Sequence, residues 1–142
     1  MNGILVGYDG SRHSLRALEW AAHEAAFRAA PLTVLRVCQA VPDCWSGSTA
    51  DDALRQARTL AEEETDKALA QAGADLPRTR VAIQAVSGNP AEELLSAATG
   101  AEMIVVGSRG AGGYRKLLLG SVSCHLTHHA RCPVVVIPDD DI

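Results

Sequence analysis

The sequence predicts an open, doubly wound α/β domain: a five-stranded parallel sheet with helices on both faces. Three observations carry this. Short apolar runs alternate with longer segments of helical periodicity, in the order βαβαβαβαβ. The run at residues 103–106, Met-Ile-Val-Val, has no polar position, so neither face of that strand meets water. The strands are separated by helical crossovers, the connection that parallel pairing requires. The 142 residues are enough for one domain with a real core, and no internal repeat or second domain is visible, so residues 1–142 are read as a single domain.

The first strand covers residues 2–9, with Ile4, Leu5 and Val6 at its centre, and ends in Tyr-Asp-Gly-Ser. Ser11 is the N-cap of the helix that follows. Leu15, Leu18, Ala22, Ala25 and Ala29 recur at helical spacing, and Pro31 stops the helix. Residues 32–37 form the second strand, and residues 39–49, with Pro42, Gly47 and two serines, a loop. A long helix starts near Asp51, buries Leu54, Ala57, Ala61, Ala68 and Ala72, and ends at Gly73. Its Glu62, Glu63, Asp66 and Lys67 form a solvated face. Residues 80–86 make the third strand. Asn89-Pro90-Ala91-Glu92 then reads as a helix start, with an Asn cap, Pro at the first helical position and Glu three residues after the cap. Gly100 closes that helix, and residues 103–106 are the fourth strand. A helix over residues 121–130 ends before Cys132-Pro133, and Val134–Ile137 is the fifth strand.

Composition narrows the function. No run of eighteen apolar residues exists, so no membrane span is expected. Residues 1–8 read as a strand rather than a secretion signal, so a cytoplasmic location is expected. Cys38, Cys44, Cys124 and Cys132 form no C-x-x-C pair and fit reduced thiols. The net charge of −4 argues against a nucleic-acid surface. Its distribution is more informative: residues 103–138 contain no Asp or Glu, while Arg109, Arg115, Lys116 and Arg131 give that segment +4. A basic patch this small suits a small anion.

Within that segment, residues 107–123 hold five glycines in seventeen positions. Gly107 and Gly110 let backbone N–H groups face an anion with no Cβ in the way. Gly120-Ser121 opens the last helix, whose N-terminus favours phosphate, and the hydroxyls of Ser121 and Ser123 can add hydrogen bonds. Arg109, Arg115 or Lys116 could supply charge. Asp9 follows the first strand and can bond a ribose hydroxyl or an adenine amine, or help hold a metal on the phosphates. In open parallel sheets ligands bind beyond the carboxyl ends of strands where their order reverses, which here requires strands one and four to be neighbours. The pattern is neither a Walker A loop, nor a G-x-G-x-x-G fingerprint, nor a G-x-S-x-G elbow. The alternative is a surface loop with a glycine helix cap.

These residues resemble the universal stress protein family. Gly107-x2-Gly110-x9-Gly120-Ser121 is similar to the family's ATP-binding motif, and Val-Gly-Tyr-Asp-Gly-Ser at residues 6–11 to its first strand and turn. Gly88-Asn89-Pro90 and Cys132-Pro133-Val134-Val135-Val136 also match, so the resemblance covers essentially the whole chain. It implies a Rossmann-like sheet of order 3-2-1-4-5 with ATP, alone or with Mg2+, at the switch point between strands one and four. Carried across, Asp9 contacts the adenosine, Val37 lines the adenine pocket, and Val106 and Gly107 border the nucleoside. Arg109, Gly110, Gly120, Ser121, Val122 and Ser123 belong to the ribose and phosphate side. The family dimerises through the fifth strand, and the apolar edge at Val134–Ile137 is an independent reason to expect a homodimer.

Three functions follow: an ATP-binding regulatory protein of the stress response, a slow ATPase or phosphate-transfer enzyme, and a dimeric interaction module independent of nucleotide. The first is preferred, because Asp9 is the one obvious carboxylate near the site and its place is by the nucleoside, leaving no catalytic residue to assign. Cys124/His128 and His125/His129 are i,i+4 pairs, but they lie about 100° apart around one helix, so the four side chains do not converge and no metal is assigned. Trp20 reads as packing. Trp45 fits either base stacking or an interface, and Cys44 an exposed thiol.

Overall fold

The computed structural model describes residues 3–39, 50–108 and 120–138. The elements are β1 (Ile4–Tyr8), α1 (Arg12–Arg28), β2 (Leu32–Cys38), α2 (Ala50–Ala72), a 3-10 turn (Arg78–Arg80), β3 (Val81–Ser87), α3 (Pro90–Ala97), β4 (Met103–Gly107), α4 (Ser121–His129) and β5 (Val134–Ile137). The strands form one parallel sheet in the expected order β3-β2-β1-β4-β5. β1 pairs with β2 from Ile4↔Leu32 to Tyr8↔Arg36, and with β4 from Ile4↔Met103 to Val6↔Val105.

The period-two alternation of the strands builds two cores. Ile4, Val6, Tyr8, Leu32, Val34, Val105 and Ile83 face α1 and α2. Leu5, Leu35, Ile104 and Val106 face the other way, against Leu94 of α3 and Leu126 of α4. α1 presents Ala17, Ala21, Ala22 and Ala25 to the first core, all buried, and small side chains there let the helix lie close to the sheet. α2 repeats the device with Ala53, Ala57, Ala61 and Ala68. β3 is covered mainly on one face: Val81 and Ile83 are buried while Ala82 and Gln84 are exposed, and Val86 near its end packs against the second core.

Helix ends follow local chemistry, with one departure from expectation. Asn89 caps α3 as expected, its side chain accepting from the Glu92 N–H at 3.1 Å, with Pro90 in the first turn. Gly73 takes φ +65 after α2. Ala29, expected on the buried face of α1, is instead its exposed C-cap in a left-handed conformation with φ +54. The helix thus stops before Pro31 is reached, and a non-glycine residue carries the strain.

Candidate functional site

The order of the sheet reverses at β1, which leads to β2 on one side and has β4 on the other. The carboxyl ends of β1 and β4 therefore lie at the position where open α/β sheets hold ligands. On the β1 side the chain turns through Asp9, Gly10 and Ser11 into α1. Gly10 has φ +87, a left-handed conformation that favours glycine. Asp9 is exposed, and its Oδ1 accepts from the Ser11 N–H at 2.8 Å and the Ser14 hydroxyl at 2.9 Å. The Ser11 side chain accepts from the Ser14 N–H at 3.2 Å. These bonds lock the carboxylate at the positive end of α1, an orientation suited to receiving ligand hydroxyls.

On the β4 side, Gly107 lets the first turn of α1 approach: a Cβ there would lie 2.9 Å from the His13 carbonyl oxygen. Ser108 extends the strand, donating its N–H to the Ile137 carbonyl at 2.8 Å. Gly120, buried at the start of α4, donates its N–H to the Ser108 carbonyl, so the residues flanking 109–119 are joined. Ser123 reinforces the joint. Its side chain is 1% exposed, and its hydroxyl donates to the Ser108 carbonyl at 3.0 Å, with the Gly120 carbonyl at 3.2 Å. The hydroxyl expected to face phosphate is thus turned inward, because two backbone carbonyls lie within its reach.

α4 differs from α1 and α3 in its cap: Gly120 makes no side-chain capping bond. Its first turn, like that of α1, carries no acidic residue. Ser121 stands exposed at that end. An N-terminus without a side-chain cap presents backbone N–H groups and the positive end of the helix dipole to whatever lies beside it.

Val37, Val106 and Val122 share the α3/α4 face of the sheet. Val106 is 4% exposed and serves as packing, while Val37 and Val122 are half-buried and keep some free surface. Asp9, Val37, Gly107 and Gly120–Ser123 all belong to segments at the carboxyl end of the sheet. Arg109, Gly110, Arg115 and Lys116 lie outside the described residues, as do Cys44 and Trp45.

Several residues at this end escaped the sequence reading. Ser14 and Ser108 are buried polar groups that fix the two turns. The spacing Ser11-x-x-Ser14 echoes a capping box and could have revealed Ser14; nothing marks Ser108. Tyr8 is 2% exposed, and its hydroxyl donates to the Glu64 carboxylate of α2. Burial, then the bond to Glu64 and its charge, hold the Tyr8 pKa above the ordinary phenol value against the opposing charge of Arg36. Arg36 pairs with Tyr8 across the strands, and its buried Nε has no hydrogen-bond partner among the described residues. Burial also pushes the Cys132 thiol pKa up, away from reactive thiolate chemistry. Among the described residues no three His, Cys, Asp or Glu side chains gather as a metal site, and no helix is long and apolar enough to cross a membrane.

Comparison with known proteins gives a consistent result. Residues 1–138 match the model of the universal stress protein family. A universal stress protein of Thermus aquaticus is 38% identical over 136 residues, covering 94% of this chain and 96% of that protein. One from Mycolicibacterium smegmatis is 36% identical over 143 residues, covering 98% of this chain and 49% of that protein. The chain thus spans about half the length of this mycobacterial relative and nearly all of the Thermus one. Among solved structures, a universal stress protein in complex with cAMP superposes with a TM-score of 0.73 at 27% identity, covering 96% of each chain. The UspA protein of Lactobacillus plantarum superposes with a TM-score of 0.76 at 23% identity, covering 96% of this chain and 97% of that one, a likeness of fold.

Proposed function

The chain belongs to the universal stress protein family, and from that membership we propose that it is a regulatory protein that binds an adenine nucleotide, ATP in the first instance, at the carboxyl ends of β1 and β4. One observation carries the reading. The N-terminus of α4 has no side-chain cap and no acid in its first turn, and it is tied by Ser123 to the end of β4, across the sheet's switch point from the oriented carboxylate of Asp9. A helix N-terminus there suits phosphate, and a carboxylate whose Oδ1 is held by the chain suits ribose hydroxyls. The cAMP complex of a relative at 27% identity supports the choice of an adenine nucleotide.

In this reading Asp9 takes the ribose and Val37 the base, and Gly107 lets α1 pack against the end of β4 beside the nucleoside. Gly120, Ser121 and Val122 serve the phosphate side, which Arg109 and Gly110 would complete. Ser123 holds the frame. Ordering residues around the phosphates would give bound and free states different surfaces, which is what a nucleotide-dependent regulator needs. A second copy pairs through β5, an edge strand whose four apolar residues, Val134–Ile137, are each only half-buried within one chain. Mg2+ would act through the phosphates, as a companion of ATP rather than a resident ion.

Denaturing the purified protein and identifying any released nucleotide, followed by titration with ATP, AMP and inorganic triphosphate, tests the proposal. Binding of both nucleotides, with triphosphate competing against ATP, is expected. No released nucleotide and no binding at millimolar ATP would end it and leave the nucleotide-independent module. Phosphate release that rises in proportion to protein concentration would favour the slow ATPase instead.

A further inference from the structure

Helix α4 carries a feature that nucleotide binding does not use. His125 and His129 are four residues apart on one face, both exposed, with ring centroids 4.4 Å apart and planes tilted by 38°. Ions of the first transition row bind imidazole nitrogen at about 2.0–2.1 Å, which puts each ring centroid roughly 3.2 Å from the ion. Two imidazoles about 90° apart on a square or octahedral ion then have centroids roughly 4.5 Å apart, and on a tetrahedral ion roughly 5.2 Å. The observed 4.4 Å is close enough for both rings to reach one ion, and lies nearer the first separation than the second.

We propose that His125 and His129 form a two-imidazole site for a divalent transition ion of square or octahedral preference, Ni2+ or Cu2+ ahead of Zn2+, with water completing the shell. The position favours a cation, because His129 closes the last turn of α4, at the negative end of the helix dipole. Water completes the coordination because no third His, Cys, Asp or Glu among the described residues joins the pair. His128 points to the neighbouring face, about 100° round the helix. The site runs from the middle of α4 at His125 to its last residue, His129, and uses none of the residues of the phosphate seat, so it stands independently of the nucleotide reading.

The test is calorimetric titration of the full chain, without an affinity tag, with NiCl2. One ion per chain with a dissociation constant in the micromolar range is expected. His125→Gln and His129→Gln should each weaken binding roughly tenfold or more. His23→Gln, His128→Gln and Cys124→Ser should leave it unchanged. Circular dichroism checks that α4 survives, and Ni2+ should raise the melting temperature of the native chain but not that of His129→Gln. A readout that needs no variant is the electron paramagnetic resonance of the Cu2+ form, which should show two equatorial imidazole nitrogens. Undiminished Ni2+ binding in both His125→Gln and His129→Gln would overturn the proposal. So would a loss confined to Cys124→Ser or His128→Gln, or fewer than two imidazole nitrogens on Cu2+.

Discussion

Replacing Gly107 by alanine tests how α1 packs against the end of β4. The added Cβ would lie 2.9 Å from the His13 carbonyl oxygen, 3.0 Å from its carbonyl carbon and 3.1 Å from its Cβ. Two of these atoms are backbone of the first turn of α1, which Ser11, Ser14 and Asp9 bond into the end of β1. No rotamer change relieves the contact. Ordinary carbon contacts are about 3.5–4.0 Å, so the helix must lift by roughly 0.5 Å. Overpacking of this kind costs about 1–3 kcal/mol, while the reduced freedom of the unfolded chain returns about 0.4–1 kcal/mol. The net expectation is a loss of about 1–2 kcal/mol, or roughly 3–8 °C in melting temperature for a domain of this size. Gly7→Ala is the internal comparison. Its Cβ would meet Leu94 methyl carbons at 3.0 and 3.3 Å and Val106 Cγ1 at 3.3 Å, all side-chain atoms that can yield. That substitution should lie within about 1 kcal/mol of neutral. Urea unfolding followed by circular dichroism measures both. A Gly107→Ala chain as stable as the native one, or no less stable than Gly7→Ala, would refute the packing of α1 on the end of β4.

Three further outcomes are expected. Ala29→Gly should stabilise the chain by roughly 0.5–1 kcal/mol in the same unfolding assay, because residue 29 has φ +54 and glycine carries no penalty there; a loss of stability would contradict the assigned cap. Ser123→Ala should destabilise by about 1 kcal/mol and no more. The Ser108 and Gly120 carbonyls keep bonds from the Gly120 and Cys124 N–H groups, so no acceptor is orphaned. Tyr8 should make stability fall in alkali: its folded pKa is raised, so its contribution is complete below the unfolded pKa near 10 and is lost as pH rises beyond it. Tyr8→Phe should remove up to about 1.4 kcal/mol per pH unit of that decline, as read from urea midpoints between pH 9 and 11, and an unchanged slope would show that Tyr8 ionises freely in the folded chain.

The sheet was legible in the sequence because its signals are local. The unbroken apolar run at 103–106 marks a strand buried on both faces, and the Asn89-Pro90 pair marks a helix start that the Asn89 cap bears out. Val134–Ile137 was placed to the residue. What stayed hidden depends on distant contacts or on backbone conformation. Tyr8 and Glu64 are 56 residues apart. Ser123 looked like a ligand-facing hydroxyl because the Ser108 carbonyl that captures it comes from another element. Ala29 fitted the helical period, yet it caps the helix, since periodicity does not register a left-handed residue. The neighbouring of β1 and β4 follows from the sheet order expected from the sequence, while the packing of His13 over Gly107 needed the fold.

If the start of α4 seats phosphate, ATP titration of Ser121→Glu against the native chain will show it. A carboxylate in the first turn of a helix is itself favourable by about 0.3–1 kcal/mol, so the variant should fold at least as well as the native chain. Ser121 is exposed, so the larger side chain meets no packing barrier. The native chain is expected to bind ATP, and Ser121→Glu to bind it at least about tenfold more weakly with undiminished stability. Equal ATP affinity in the two proteins would contradict it.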